Sequence, residues 1–191
     1  MSNKSKLRKE YLQIRENTSY KLLKDAEEGL LSLVRLNSEL FQGRKISCYS
    51  SIGKEMPTHC LLDLLIDMGS EVYLPKIKKN SRVLRFYKVE NQQSLKKNKL
   101  GIYEPSDTEE IAPAYLDIIL LPCVCFDEKG YRIGMGKGYY DHSLVNLSYP
   151  KPDIFIVAHE FQKVEECFPE GHDIKADGCI CLLYTSDAAD E

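Results

Sequence analysis

The apolar positions of this chain change their spacing from segment to segment, and each spacing predicts a helix or a strand. Apolar side chains recur every three or four positions in residues 4–15, 18–40, 59–68 and 141–147, which predicts four amphipathic helices. The apolar side chains of the first helix are Leu7, Tyr11 and Ile14. The buried stripe predicted for the second helix consists of Leu22, Leu23, Ala26, Leu30, Leu33 and Leu36. The predicted N-caps are Thr18 or Ser19 for the second helix and Thr58 for the third.

Short apolar runs bounded by turn residues predict the strands. Residues 117–121 are apolar nearly throughout, which is typical of a strand buried on both faces of a sheet. Pro75 and Pro122 are predicted to end their strands, because proline has no N–H for the ladder. Residues 83–89 alternate and predict an outer or antiparallel strand. The remaining strands are predicted at 45–50, 71–75, 153–158 and 174–180.

The alternation of helices and strands predicts an α/β fold, in which a single three-layer domain has a central, largely parallel sheet with helices on both faces. The length of 191 residues favours one domain. A net charge of −3 argues against bulk binding of nucleic acid. The absence of a membrane-length apolar run and of a signal-peptide pattern predicts a cytoplasmic protein without a membrane partner.

The seven cysteines have no framework spacing, which predicts free thiols in a reducing compartment. Cys123 and Cys125 share one side of an extended segment and could bind a metal. A zinc site is disfavoured, because it needs about four ligands and no second pair is spaced for it.

The segment after the predicted strand 117–121 combines glycine with positive charge. Its glycines are Gly130, Gly134, Gly136 and Gly138. Arg132 and Lys137 lie between them, and a predicted helix follows, so the segment is suited to cradle an anion. It is neither a P-loop nor a dinucleotide motif, because Gly138 replaces the Ser or Thr of the first and Tyr139 a glycine of the second. The glycines alone fit a flexible surface loop equally well.

The whole stretch from Phe126 to Asp141, FDEKGYRIGMGKGYYD, resembles the signature of the 5-formyltetrahydrofolate cyclo-ligase (5,10-methenyltetrahydrofolate synthetase) family. The matching positions are Phe126, Asp127, Gly130, Arg132, Ile133, Gly134, Gly136, Lys137, Gly138, Tyr139, Tyr140 and Asp141. Shorter matches are Lys4-x-x-x-Arg8, Glu55-x-x-Thr58, Gly101-Ile-Tyr-Glu-Pro105 and His172-Asp173. The resemblance covers about residues 4–180, and it implies ATP- and Mg²⁺-dependent conversion of 5-formyltetrahydrofolate to 5,10-methenyltetrahydrofolate with release of ADP and phosphate.

The resemblance also implies the residues of the site. The predicted ATP-binding residues are Lys4, Ser5, Lys6, Leu7, Arg8, Arg132, Ile133, Gly134, Met135, Gly136, Lys137, Gly138, Tyr139 and Tyr140. The predicted catalytic residues are Lys137, Arg132 and Tyr139. The folate would contact Ser50, Glu55, Met135 and Tyr139, and Mg²⁺ would bind Asp141 and Asp173. A solvated charged face remains the alternative for Lys4 and Arg8, and ordinary exposure for Glu55.

Two other functions remain open, a small-molecule kinase with the same phosphate cradle and a nucleotide- or folate-binding regulator without turnover. The expected partners are ATP and 5-formyltetrahydrofolate, with or without a polyglutamate tail, and a monomer is expected. Residues 181–191 depart from the family and resemble a translated sequencing-adapter sequence. They are predicted to be a non-native tail, so that the domain is residues 1–180.

Overall fold

A seven-stranded sheet forms the centre of the computed structural model, which describes residues 2–77, 81–98, 101–106, 108–147 and 149–182. The helices are α1 (Asn3–Glu16), α2 (Tyr20–Leu36), α3 (Ser38–Phe41), α4 (His59–Asp67) and α5 (Tyr139–Leu144). The strands are β1 (Lys45–Ser47), β2 (Glu71–Ile77), β3 (Leu84–Val89), β4 (Lys96–Lys97), β5 (Tyr103–Glu104), β6 (Glu110–Ile111), β7 (Ile118–Leu121), β8 (Cys125–Phe126), β9 (Arg132–Ile133), β10 (Asp153–His159) and β11 (Gly178–Leu182).

The sheet has the strand order β11-β10-β7-β1-β2-β3-β6. The first five strands in this order are parallel to one another. β3 is antiparallel to β2, and β6 is antiparallel to β3. The sheet is therefore largely parallel with an antiparallel edge, which confirms the predicted fold class. Of the two alternatives predicted for residues 83–89, an outer or an antiparallel strand, the antiparallel one holds, since β6 is the outer strand.

Two apolar layers cover the two faces of the sheet. On one face, α2 and α4 pack their buried side chains against Ile46, Val72, Leu120 and their neighbours. On the other face, Leu144 of α5 lies in a cluster with Tyr73, Ile119 and Ile156. All four residues of β7 are buried, as the continuous apolar run predicts for a strand covered on both sides.

α1 lies against the β8–β9 ribbon. Its Leu7 and Tyr11 pack against an apolar cluster of Cys125, Ile133 and Cys167. The predicted third apolar residue, Ile14, is instead 39% exposed. This packing matters for function because the glycine-rich segment leaves the ribbon directly after Ile133.

Proline does not end β2 as predicted. The strand continues through Pro75 to Ile77, and Pro75 is paired with Phe86 of β3. The parallel pairing of β2 with β1 reaches only Tyr73, so at Pro75 one side of the strand is free of a ladder and the missing N–H costs no hydrogen bond there.

The helix bounds also differ in places. The segment predicted as one helix over 18–40 breaks at Asn37, leaving Leu36 82% exposed, while Val34 joins the buried stripe. Ser19 caps α2 by accepting from the Leu22 amide. Thr58 precedes α4 without a side-chain cap, because its hydroxyl instead donates to the Tyr49 carbonyl at 2.6 Å.

The boundaries of three further elements shift by a few residues. α5 begins at Tyr139 and ends at Leu144, in place of the predicted helix over 141–147. β1 ends at Ser47, and β11 starts at Gly178 and reaches Leu182. The predicted tail 181–191 therefore overlaps β11 by two residues, and its remainder lies outside the described residues. No helix within the described ranges is long and apolar enough to cross a membrane.

Candidate active site

Side chains from several loops gather beyond the carboxyl ends of the parallel strands. Ser50 and Glu55 follow β1, Cys123 follows β7, and His159 ends β10. In an open α/β sheet this edge is where ligands bind, because the loops that leave neighbouring strands meet there. The glycine-rich segment and α1 close the same region from above.

The glycine loop, residues 134–138, is held close to α1 by Arg8. The Arg8 Nε donates a hydrogen bond to the Gly134 carbonyl at 2.8 Å. Gly136 has a φ of 84°, and a Cβ on it would lie 3.3 Å from Cζ of Arg8. Glycine is thus required at this position for both the left-handed backbone and the close approach of the guanidinium.

The cations of α1 follow one face of the helix. Lys4, Arg8 and Arg15 are spaced at i, i+4 and i+11, which places them on one side. Lys4 forms ion pairs with Asp173 and, at 3.5 Å, with Glu170. The first helical turns thus meet both the glycine loop and the segment that carries Asp173.

The other predicted residues of this helix have different surroundings. Lys6 is exposed, and the amide of Ser5 bonds to the Ser2 hydroxyl at 3.3 Å as part of the helix cap. Leu7 faces the apolar cluster against the β8–β9 ribbon, which Ile133 also joins. Leu7 and Ile133 therefore help to hold the glycine loop in place. A polar ligand would contact the polar residues beside them in the chain.

The two predicted metal ligands are linked through the main chain of Ile174. Oδ1 of Asp141 accepts from the Ile174 amide at 3.1 Å, and Ile174 follows Asp173 in the chain. The same Oδ1 lies 3.3 Å from Nη2 of Arg132. Burial raises the pKa of Asp173, but the Glu170 amide and the Lys4 ammonium outweigh it and hold the pKa below its ordinary value.

These carboxylates fit a magnesium ion that takes its other ligands from elsewhere. Oδ2 of Asp141 and Oδ1 of Asp173 make no hydrogen bond within the described part of the chain, so each remains open to a cation. No cluster of three or more His, Cys, Asp or Glu side chains suited to a metal occurs among the described residues. Mg²⁺ prefers one or two carboxylates completed by phosphate and water, which matches this set.

Arg132 is buried beside these carboxylates. Its Nη1 donates to the Ile174 carbonyl at 3.4 Å, and its guanidinium carbon lies 6.0 Å from the centre of the Tyr140 ring. Burial raises the pKa of Tyr140, which keeps this phenol protonated. Arg132 is thereby fixed on three sides as a permanent positive charge below the loop.

Lys137 and Met135 of the glycine loop are exposed, whereas Tyr139 directly after the loop is half-buried. Lys137 is exposed and forms no hydrogen bond or ion pair within the described ranges, so its ammonium can turn towards a ligand. Met135 is 57% exposed, and Tyr139 is half-buried against the core on the α5 side. The structure thus brings the predicted residues of the loop to one edge while leaving Lys137 and Met135 open to solvent.

Glu55 is buried, in contrast to the surface position usual for a loop glutamate. Its Oε2 accepts from the Ile52 amide at 2.9 Å, and its Oε1 lies 3.4 Å from Nη1 of Arg15. Burial raises the pKa of Glu55, and the Ile52 amide and the Arg15 guanidinium offset part of the rise. The hydroxyl of Ser50 is also buried and has no hydrogen-bond partner among the described residues.

Arg15 and His159 are the site-edge residues that the sequence reasoning missed. Arg15 is 4% exposed and its spacing continues that of Lys4 and Arg8, a signal present in the sequence. His159 is buried at the end of β10, where burial and then the charge of Arg15 lower its pKa to about 4. No local sequence signal marks His159, because it is brought to the site only by the strand order.

Two open clefts are lined by other residues. One of about 400 Å³ runs between the turn at 127–130 and residues 175–179, and one of about 580 Å³ lies between α1 and Val164. Their walls mix both signs of charge and include neither the glycine loop nor Glu55. We therefore assign the chemistry to the region beyond the carboxyl ends of the parallel strands, where the buried charges lie.

A family model described as the 5-formyltetrahydrofolate cyclo-ligase family matches residues 1–181 of this chain. The 5-formyltetrahydrofolate cyclo-ligase of Escherichia coli K12 is 36% identical over 132 residues, which are 68% of this chain and 72% of that protein. The enzyme of the same name from Haemophilus influenzae is 30% identical over 174 residues, covering 90% of this chain and 93% of that one.

Solved structures give the same result. The 5,10-methenyltetrahydrofolate synthetase of Aquifex aeolicus superposes with a TM-score of 0.82 at 31% identity, covering 94% of this chain and 90% of that one. The synthetase of the same name from Mycoplasma pneumoniae gives a TM-score of 0.75 at 25% identity, covering 94% of this chain and 98% of that one. The likeness therefore extends over nearly the whole length of both proteins in each case.

Proposed function

The chain belongs to the 5-formyltetrahydrofolate cyclo-ligase family, and from this we propose that it is a ligase that converts 5-formyltetrahydrofolate to 5,10-methenyltetrahydrofolate. We further propose that ATP drives the reaction in the presence of Mg²⁺, with release of ADP and phosphate. Family membership supports the conversion, and the arrangement of charges at the strand edge supports the use of a nucleotide.

The observation that carries the proposal is the meeting of three elements at one edge. α1 contacts the glycine loop through Arg8, the carboxylate segment through Lys4 and the buried Glu55 through Arg15. A phosphate site and a site for an uncharged ring system with polar edges would therefore lie next to each other. A ligase that joins phosphoryl transfer to ring closure needs this adjacency.

The proposed chemistry proceeds in two steps. The formyl oxygen attacks the γ-phosphorus of ATP, so that the bond to ADP breaks and the oxygen becomes a phosphate ester. N10 of the folate then attacks the formyl carbon, the carbon–oxygen bond breaks with loss of phosphate, and N10 gives up its proton. Phosphorylation is needed because the unmodified formyl oxygen is a poor leaving group.

The protein's part in these steps is to hold phosphate charge and to fix distances. We assign Lys4, Arg8, Arg132 and Lys137 to the phosphates, together with the backbone amides of residues 134–138. Arg132 is held in place by Asp141 and the Ile174 carbonyl, whereas Lys137 is free to move. Lys137 is therefore the cation best able to follow the phosphoryl group during transfer.

Asp141 and Asp173 would hold Mg²⁺, which would neutralise phosphate charge when bound. Each of these carboxylates has a cation of the protein beside it, Arg132 for Asp141 and Lys4 for Asp173. We propose that Lys4 turns to the phosphates when nucleotide enters, which leaves Asp173 to the metal, while Arg132 stays fixed and Oδ2 of Asp141 remains open.

The folate would lie against the loop that follows β1. The buried Glu55 carboxylate and the unpartnered Ser50 hydroxyl offer polar contacts to the edge of the ring system. Met135 and Tyr139 offer apolar surface beside the glycine loop. The formyl end of the folate would then lie between Glu55 and the phosphate-binding residues.

The test measures ATP hydrolysis and methenyl absorbance together, with and without 5-formyltetrahydrofolate. We expect hydrolysis to depend on the folate and one methenyl product to form for each ADP released. Phosphorylated folate without ring closure would instead indicate the kinase alternative. Binding of both ligands without turnover would indicate the regulator, and equal ATP hydrolysis with and without folate would refute the proposal.

A further inference from the structure

Arg15 occupies an unusual position for an arginine of a surface helix. It lies in the last turn of α1 and is only 4% exposed. Its Nη1 lies 3.4 Å from Oε1 of Glu55, and its Nη2 lies 3.9 Å from Sδ of Met135 in the glycine loop. One guanidinium therefore touches both the β1 loop with Glu55 and the loop that we assign to the nucleotide.

Burying this charge has a cost that the contacts only partly offset. A guanidinium has five N–H donors, and the buried Nε of Arg15 has no hydrogen-bond partner among the described residues. Buried charges are normally paired and fully hydrogen-bonded, because an unsatisfied polar group in the interior is costly. The arrangement is explained if the Arg15–Glu55 ion pair serves to orient and ionise the Glu55 carboxyl group, and not only to stabilise the fold.

The β1 loop is attached to the same end of α1 a second time. Nζ of Lys54 donates to the carbonyls of Glu16 and Thr18, both at 2.6 Å. Lys54 and Glu55 are consecutive in the chain. The loop is therefore held at two neighbouring positions, by the Lys54 ammonium and by the Glu55 carboxylate. Since Arg8 of α1 also binds the Gly134 carbonyl at 2.8 Å, the helix sets the position of both loops at once.

We propose that Arg15 is a positioning residue for the reaction: it holds the Glu55 carboxylate in the orientation that binds the folate and ties the β1 loop to the glycine loop. The proposal rests on the proposed function for the role of Glu55. It assigns to Arg15 no direct contact with the nucleotide, which distinguishes it from Lys4 and Arg8 on the same helix.

The charge of Arg15 acts on a carboxyl group whose other titratable neighbours do not stabilise the ionised form. The titratable groups that face Glu55 are Arg15 from α1, Tyr49 after β1, Cys123 after β7 and Tyr140 of α5. Burial raises the pKa values of Tyr49, Cys123 and Tyr140, so all three remain neutral near pH 7. Without Arg15, the Ile52 amide alone would oppose the effect of burial on the carboxylate.

The test compares Arg15→Met, which removes the charge at similar size, with Arg15→Lys, which keeps it. Lys9→Met, at an exposed position of α1, is the matched control for losing a positive charge from the helix. Carbon-13 NMR of the labelled carboxyl of Glu55, assigned with Glu55→Gln, measures its titration in the full chain without any ligand. Calorimetry then measures binding of 5-formyltetrahydrofolate without nucleotide, and of ATP without folate.

For Arg15→Met we expect the titration midpoint of Glu55 to rise by at least about one pH unit and folate affinity at pH 7 to fall at least about tenfold. ATP affinity should change less than about threefold in the same variant, and both ligands should bind Arg15→Lys and Lys9→Met within about threefold of the wild type. An unchanged Glu55 midpoint, unchanged folate affinity, or loss of ATP affinity alone would overturn the proposal.

The double variant Arg15→Met/Glu55→Gln covers the case in which Arg15→Met folds poorly. It leaves no unpaired buried charge, so we expect it to melt at a higher temperature than Arg15→Met alone. No gain in melting temperature would show that Arg15 acts independently of Glu55 and would overturn the proposal. A wild-type chain that fails to bind 5-formyltetrahydrofolate would contradict the proposed function, while the NMR titration would still decide the Arg15–Glu55 relationship.

Discussion

At the level of single side chains, the site is a set of ion pairs, two of which join distant segments of the chain. Lys4 meets Asp173, Arg15 meets Glu55, and Arg132 meets Asp141. The residue types and the family signature predicted Lys4, Glu55, Arg132, Asp141 and Asp173 as site residues, but neither Arg15 nor these pairings. A pairing depends on which loops meet, and the sequence of α1 does not give this for Arg15.

Lys137 gives the most direct residue-level prediction. We expect Lys137→Ala to lower kcat/KM for folate-dependent ATP turnover on the order of 10²-fold, because its mobile ammonium would stabilise the transferring phosphoryl group. Steady-state kinetics with both substrates varied would measure the effect. Its control is Lys129→Ala, an exposed lysine 3.7 Å from Glu166, whose surface ion pair contributes little. A loss below about threefold would make Lys137 a plain surface residue.

At the level of helices and strands, periodicity located the elements and misjudged several of their contacts. α1 was predicted from Leu7, Tyr11 and Ile14, yet its inward face is formed by Lys4, Arg8 and Arg15 together with Leu7 and Tyr11. Helical spacing gives the faces of an amphipathic segment, but which charged side becomes buried depends on what the helix packs against. The continuation of β2 through Pro75 has the same origin, since it depends on where the neighbouring strand ends.

The glycine loop yields a prediction at this level through Gly136. Gly136→Ala would force an L-residue into a φ of 84° and bring its Cβ to 3.3 Å from Cζ of Arg8, so the loop or the Arg8 side chain must shift. We expect ATP affinity to fall about tenfold, with folate affinity in the absence of nucleotide little changed. Calorimetry with each ligand alone would show the difference.

Gly43→Ala is the control that separates an effect on the glycine loop from the general cost of backbone strain. Gly43 has a φ of 69°, a Cβ added to it would meet no atom within 4 Å, and it precedes β1 at the opposite end from the site. We expect this variant to lose stability of order 1–2 kcal/mol while its ATP affinity stays at the wild-type value. Equal ATP affinity in Gly136→Ala and Gly43→Ala would mean that the glycine loop does not contact the nucleotide.

For the molecule as a whole, the alternating elements were enough to predict a three-layer α/β domain, and the strand order was not. The sequence does not state that β7 lies between β10 and β1, yet this order brings His159, Cys123 and Ser50 to adjacent strand ends. Side-chain burial that results from such long-range assembly leaves no local pattern. This explains why Glu55 and Ser50 were predicted through resemblance alone, and why His159 was missed.

His159 links the assembled fold to pH. It is fully buried, stacks on Phe161 at 5.0 Å between ring centres, and its pKa is lowered to about 4, so the folded chain keeps it neutral where the unfolded chain binds a proton. The folded pKa lies below the unfolded value near 6.5, so stability is complete above that pH and falls as the pH drops towards 4. The contribution of His159 should amount to at most about 1.4 kcal/mol per pH unit in this window.

Urea unfolding at pH 7, 6 and 5 measures this slope by comparing the wild type with His159→Asn, which retains a side-chain acceptor for the Gln162 amide that caps the turn after β10. The quantity compared is the difference in unfolding free energy between the two chains at each pH. The raised pKa of Glu55 changes stability in the opposite direction, but it is common to both chains and cancels in this difference. We expect the variant to be less stable at pH 7 and to lose less stability on acidification, so the two curves converge as the pH falls.

His172→Asn, at an exposed position, controls for the substitution itself. Parallel curves for the wild type and His159→Asn would contradict a buried neutral imidazole, and with it the close approach of β10 to the loops that form the site.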